Sequence, residues 1–124
     1  MSLYRKKLGK WGEELARKFY ERKGYEFVES NWRKRKGEID LILEKADVNP
    51  REIVFVEVKT RTTKMFGFGE EAVTHSKKQK IKQTIGRFIF ENEKYQEHFP
   101  RFDILVVELF SLTPNYVSYE NVEL

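Results

Sequence analysis

Three charged residues lie where the sequence is otherwise apolar, and their types are those of a metal-dependent hydrolytic site. Asp40 lies in the apolar run 39–43. Glu57 lies in the apolar run 53–58, and Lys59 follows it. Carboxylates in half-buried strands are costly unless a proton or a cation neutralises them. Since hard divalent ions such as Mg²⁺ prefer oxygen ligands, this pattern predicts a metal site.

The two apolar runs predict an antiparallel hairpin, because Asp, Asn and Pro residues in the intervening segment favour a turn. Pairing Lys45 with Glu52 across the loop places Asp40 directly opposite Glu57. Opposed side chains share a face and have Cβ atoms about 5 Å apart. The register therefore predicts that the two carboxylates converge, with Lys59 on the same face as Glu57.

The N-terminal segment has helical periodicity, which predicts an amphipathic helix over residues 3–23 that ends at Gly24. Trp11 falls on the apolar stripe, so we expect it in the core. On a helical wheel Glu13 borders this stripe, whereas Glu14 points toward solvent. Glu13 is therefore a further site candidate, and the alternative is a surface glutamate that pairs with a basic neighbour on the helix.

The rest of the chain predicts three more strands and a second helix. Ser76 and Gln79 have the spacing of a capping box, which predicts the start of this helix. Asp103, inside a mostly apolar run, is expected to have a structural role. These elements predict one α/β domain over residues 1–124, in the order helix, three strands, helix, strand and an extra C-terminal edge strand. The expected strands are 25–32, 102–109 and 116–122, and the expected helix is 77–93.

Positive charge is clustered near the candidate site. The connection 31–37 contains four consecutive basic residues. Lysines crowd the first turn of the second helix, where they oppose the helix dipole unless an anion binds. Nucleic-acid contact and ordinary solvated surface are the two interpretations. The candidate nucleic-acid contacts are Arg33, Arg35, Arg61, Lys77, Lys78 and Lys80.

Composition excludes several classes of site. The sequence has no cysteine, which excludes disulfides and thiolate catalysis, and its two histidines disfavour a histidine-rich metal site. No signal peptide or transmembrane pattern is present, so we expect a cytoplasmic protein that does not associate with membranes. With 24 basic and 20 acidic residues, the chain can accept a polyanionic partner.

The ordered motifs resemble the PD-(D/E)XK nuclease superfamily. Asp40, a spacer of sixteen residues and the sequence Glu57-Val58-Lys59 match its core pattern, with Ile39 where the superfamily name has proline. Nearly the whole chain is similar to the YraN family of small predicted nucleases. The segments that carry this similarity are GKWGEELARKFYERKGY (9–25), NWRKRKGEIDLI (31–42), FVEVKTR (55–61), SKKQKI (76–81) and RFDILVVE (101–108).

The resemblance implies a restriction-endonuclease-like core, a mixed sheet flanked by helices, and hydrolysis of phosphodiester bonds in DNA. It implies Mg²⁺, replaceable by Mn²⁺, bound by Asp40, Glu57 and the backbone carbonyl of Val58, with Glu13 ligating through water or supporting a second ion. Lys59 would orient the attacking water or stabilise the transition state. Small members of the superfamily include archaeal Holliday-junction resolvases, which points to structured or branched DNA.

The residue types leave other interpretations open. Lys59 could be a structural salt-bridge partner of Glu38 or Glu57. The chain could be a non-catalytic DNA- or RNA-binding module with a nuclease fold, although such a surface would gain affinity by losing its acids. A homodimer would place one active site on each strand of a duplex, but no interface is marked in the sequence.

Overall fold

The computed structural model describes residues 3–35, 37–63 and 74–124. Its described strands form one five-stranded sheet in the order β1-β2-β3-β4-β5. The pair β3 and β4 is parallel, whereas the other neighbours are antiparallel. The predicted mixed α/β architecture is therefore confirmed, including the C-terminal edge strand. The elements are α1 (Leu3–Glu21), β1 (Glu26–Lys34), β2 (Gly37–Lys45), β3 (Glu52–Arg61), α2 (His75–Glu91), a 3₁₀ turn (Glu93–Tyr95), β4 (Phe99–Glu108) and β5 (Asn115–Tyr119).

The two helices cover opposite faces of the sheet, because alternate residues of β3 and β4 contribute to separate apolar clusters. Helix α1 buries small residues, Gly12 and Ala16, together with Tyr20. A Cβ atom at Gly12 would overlap the hydroxyl of Thr60 on β3. Glycine at this position therefore allows α1 to approach the strand that carries the candidate site.

Helix α2 packs on the other face through Ile81, Ile85 and Phe88. The Phe88 ring contacts Trp32 of β1 edge to face, with ring centroids 5.3 Å apart. A Cβ atom at Gly37, the first residue of β2, would overlap the Thr84 side chain. The first turns of α2 thus lie directly against the segment that leads to Asp40.

Asp103 is fully buried on β4 and has the structural role expected for it. Its carboxylate accepts hydrogen bonds from the Tyr20 hydroxyl at 2.8 Å, from the Arg101 guanidinium and from the backbone N–H of Asn121. Arg101 also donates to the Tyr25 hydroxyl at 2.7 Å. Because both carboxylate oxygens are occupied, Asp103 joins α1, β4 and the C-terminal segment and is not a metal ligand.

Two local predictions are wrong. Helix α2 is capped by Thr74, whose hydroxyl accepts the backbone N–H of Lys77, and not by Ser76. Trp11 is 50% exposed, because the buried stripe of α1 is centred on its small residues and leaves the indole at the margin. Within the described chain, no helix has the length and apolar content needed to cross a membrane.

A pair of glycines in α1 tests the close approach to β3. We expect Gly12→Ala to lower the free energy of unfolding by roughly 1–3 kcal/mol, because the added methyl group overlaps Thr60. Gly9→Ala should raise it by about 0.5–1 kcal/mol, since its Cβ meets open space and alanine favours a helix. Urea unfolding of both variants checks the difference.

Adding Thr60→Ala should restore much of the stability that Gly12→Ala loses, because it removes the overlapping hydroxyl and methyl groups. Equal stability of the Gly9 and Gly12 variants would contradict the close contact.

Candidate active site

The candidate site lies where β2 and β3 separate. Their ladder begins at the predicted Lys45–Glu52 pair and ends one step before Asp40 and Glu57. The carboxylate of Asp40 instead accepts the backbone N–H of Val58 at 2.8 Å. The end of the hairpin is therefore held by a side chain, which fixes one oxygen of Asp40 beside the end of β3.

Asp40 and Glu57 line one cavity of about 260 Å³. Strands β2 and β3 form one side of it, and the first turns of α2 form the other. The two acidic positions therefore lie on the wall of one cavity, and their joint binding of a metal ion stays a prediction. Other residues of its wall are Gly37, Ile39, Val56, Lys77, Lys80 and Thr84.

The environment of Asp40 favours its neutral form. Burial raises the pKa of this carboxyl from 3.8 to about 7, and the negative charges of Glu13, Glu57 and Glu38 act in the same direction. The hydrogen bond from Val58 opposes the shift. Asp40 therefore holds its proton to a higher pH than an exposed aspartate does.

Glu57 has one occupied oxygen and one without a partner. Its Oε1 atom lies 2.7 Å from Nζ of Lys77 and 3.8 Å from Nζ of Lys59. Its Oε2 atom is buried and accepts no hydrogen bond from any described residue. Burying a carboxylate oxygen without a partner costs free energy of folding. This atom is therefore the best candidate in the site for a contact with a cation.

Lys59 shares the face of Glu57, as the strand alternation predicts. Burial lowers the pKa of its ammonium group, while the charge of Glu57 opposes that shift. Glu38, the other predicted partner, instead contacts Arg33 at 3.3 Å. Lys59 is therefore a poorly hydrated cation beside the carboxylates.

The donor set fits a hard divalent ion. Asp40 and Glu57 supply carboxylate oxygens, and the second oxygen of Glu57 has no competing donor among the described residues. No three acidic or histidine side chains in the described ranges form a complete metal cage. Mg²⁺ needs no such cage, because it commonly takes one or two carboxylates and completes its shell with water and substrate oxygens.

Glu13 lies on the other side of the strand end. It lines a separate cavity of about 620 Å³ together with Val58, Thr60 and Arg61. Burial raises the pKa of Glu13, and its charge contributes to the raised pKa of Asp40. Glu13 is thus an electrostatic neighbour of Asp40 outside the Asp40–Glu57 cavity, and its role as a ligand stays a prediction.

The predicted basic residues divide between different surfaces. Lys77 and Lys80 line the cavity of the carboxylates, and Lys80 shares a neighbouring cavity of about 440 Å³ with Arg35. Arg61 lies in the Glu13 cavity. Lys78 is half-buried on α2 and lines none of these three cavities. Of the basic residues predicted to contact nucleic acid, Lys77, Lys80 and Arg35 therefore form the group that lies beside the carboxylates.

Sequence reasoning missed Arg87, which lines the same neighbouring cavity as Arg35. Lys34, one of the four consecutive basic residues of the connection 31–37, lines this cavity too. Helical spacing could have identified Arg87, because it lies seven residues after Lys80 on one face of α2. Lys34 pairs with Glu91 of α2 at 3.4 Å, a contact between distant segments that no local pattern indicates.

The raised pKa of Asp40 predicts how stability depends on pH in the metal-free protein. The folded state holds this proton up to about pH 7 and the unfolded state only to about 3.8. Stability should therefore fall as the pH rises from 4 to 7, by roughly 4 kcal/mol from this group alone. We expect Asp40→Asn to remove this fall and to unfold at higher urea concentration than wild type at pH 8 in a chelator.

Asp47→Asn is the matched control, because Asp47 is 69% exposed and contacts Lys45 at the surface. If the free energy of unfolding depends on pH in the same way in wild type and in Asp40→Asn, the predicted raised pKa of Asp40 is wrong.

Sequence comparisons place the chain in a family. The model described as uncharacterised protein family UPF0102 matches residues 12–107. A UPF0102 protein of Caldanaerobacter subterraneus subsp. tengcongensis is 39% identical over 118 residues, which cover 95% of this chain and 90% of the relative. One from Acinetobacter baumannii strain AYE is 40% identical over 103 residues, covering 83% and 74%. The resemblance to YraN proteins is thereby confirmed, and the chain belongs to the UPF0102 family.

Proposed function

We propose that this protein is a metal-dependent endonuclease that hydrolyses phosphodiester bonds in DNA. One observation carries the proposal: the buried Oε2 atom of Glu57 has no partner among the described residues, in a cavity shared with Asp40. Lys59 adds a half-buried ammonium group on the same strand face. Two carboxylates and a poorly hydrated cation are a suitable set for hydrolysing a phosphate diester.

Each residue has a defined part in this proposal. Asp40, Glu57 and the carbonyl of Val58 would hold Mg²⁺ or Mn²⁺, with Glu13 acting through water. When bound, the ion supplies Lewis acidity, which polarises the phosphate and lowers the pKa of a water molecule. Lys59 would orient that water or stabilise the extra negative charge of the transition state. Its burial strengthens the second effect, because charges interact more strongly where water is excluded.

The basic face supports a polyanionic substrate. Lys80 and Arg35 line a cavity next to the carboxylates, so a phosphate strand crossing both cavities would meet positive charge on both α2 and the β1–β2 connection. Such contacts fix position without reading sequence. We propose structured or branched DNA as the substrate class, because the chain resembles the superfamily that includes the small archaeal resolvases. Cleavage assays on single-stranded, duplex, flap and four-way substrates with Mg²⁺ test it.

A non-catalytic nucleic-acid-binding module is the second candidate, because the basic face would serve binding alone. The carboxylates argue against it. Asp40 and Glu57 are like charges held partly buried beside that face, and they weaken the attraction of a polyanion without improving packing.

Divalent ions should raise the thermal stability of the wild-type protein. An ion that binds only the folded state at ten times its dissociation constant adds about 1.4 kcal/mol. Glu57→Gln should abolish the shift, since it keeps the shape and removes the charge. Glu29→Gln, at an exposed position of β1, should shift like wild type. Melting curves with and without millimolar MgCl₂ measure this, and an equal shift in Glu57→Gln would place the ion elsewhere.

Lys59→Ala should lose cleavage by a factor of about 10² or more while binding DNA nearly as well as wild type. The reason is that DNA binding loses one of several positive charges, whereas the transition state loses the half-buried ammonium group on the strand face of Glu57. Lys80→Ala, on the basic face beside the carboxylates, should instead weaken binding to all sequences and reduce the salt slope by roughly one. Fluorescence anisotropy and a cleavage assay compare them.

Parallel loss of binding and cleavage in both variants would make Lys59 another phosphate contact and would favour the binding module.

A further inference from the structure

Lys77 occupies a cation position at Glu57. Its Nζ atom lies 2.7 Å from Oε1 of Glu57, closer than the 3.8 Å of Lys59. The two lysines come from different elements: Lys59 follows Glu57 on β3, whereas Lys77 belongs to the first turn of α2. A positively charged side chain from the opposite wall of the cavity therefore neutralises the candidate metal ligand.

We propose that Lys77 is an exchangeable counter-ion of the site. It neutralises Glu57 in the metal-free protein and transfers to a substrate phosphate when a metal ion takes its place. The inference rests on the proposed function and names a coupling between its two ligands, metal and nucleic acid.

Exposure identifies Lys77 as the lysine that exchanges. Its side chain is 43% exposed, whereas that of Lys59 is 12% exposed and that of Glu57 is 20% exposed. A lysine with half of its surface in water can leave a carboxylate at little cost in hydration, and its four-carbon stem gives it reach. Lys59 has no comparable access to solvent. The charge of Glu57 can therefore be balanced in turn by Lys77 and by a metal ion.

Exchange requires motion of the side chain only. The backbone of Lys77 is fixed, because its N–H donates to the hydroxyl of Thr74 at 3.2 Å within the helix cap. Lys80, one turn further along α2, lines the same cavity and also the neighbouring cavity that contains Arg35. Once released, Nζ of Lys77 remains beside the cavity, at the border of the surface proposed to bind phosphate.

Coupling between the ligands follows from this exchange. Bound phosphate draws Lys77 away from Glu57 and so raises the affinity for a metal ion. By thermodynamic linkage, the metal ion must raise the affinity for phosphate by the same factor. Without nucleic acid the competing ammonium keeps metal affinity low.

Isothermal titration with MnCl₂ in the absence of nucleic acid tests the exchange. We expect Lys77→Met to bind Mn²⁺ roughly fivefold more tightly than wild type, because the competing cation is gone. Lys82→Met, an exposed position of the same helix, should bind like wild type. Lys77→Gln supplies a second, polar variant that covers a failure of the methionine variant to fold.

A second titration measures the coupling in the Lys59→Ala background, which should not cleave. A DNA duplex should tighten Mn²⁺ binding severalfold when Lys77 is present and much less in the Lys77→Met double variant. If the Lys77 variants and the parent proteins bind Mn²⁺ equally in both titrations, the exchange is wrong and the metal site stands. If none of the proteins binds a divalent ion at millimolar concentration, the proposed function itself fails.

Discussion

The partial burial of like charges at the open end of the β2–β3 hairpin is the constraint on which the rest of the site depends. Asp40 and Glu57 line one cavity, and each requires compensation that the apolar sheet cannot provide. The N–H of Val58 donates to Asp40, whose pKa burial raises to about 7, and two lysines compensate the charge of Glu57. The position of α2 therefore contributes to packing and also brings Lys77 to the charge of Glu57.

Close helix packing supports these strands on both faces of the sheet. On one face Gly12 brings α1 against β3, and on the other Gly37 brings β2 against α2. Asp103 and Arg101 connect α1 to the parallel strand β4 through buried hydrogen bonds. A site with repelling charges needs such support, because the repulsion would otherwise be relieved by movement of the strand ends.

Sequence alone predicted the features that depend on local spacing. The Lys45–Glu52 register of the hairpin and the common face of Glu57 and Lys59 follow from the loop position and the two-residue period of strands. The contact of Lys77 with Glu57 and the separate cavity of Glu13 do not follow. They depend on how each helix is rotated and placed on the sheet, which small residues such as Gly12 decide and periodicity does not.

The hydrogen bond from Val58 to Asp40 constrains the two acidic positions differently during divergence of the family. Any chain with this strand geometry needs an acceptor at position 40, so asparagine could replace aspartate whereas alanine would leave a backbone N–H without a partner. Among the described residues, the Glu57 carboxylate contacts the side chains of Lys77 and Lys59 and no backbone N–H donates to it. The backbone of the strand ends therefore constrains the residue type at position 40 and leaves position 57 free of that constraint.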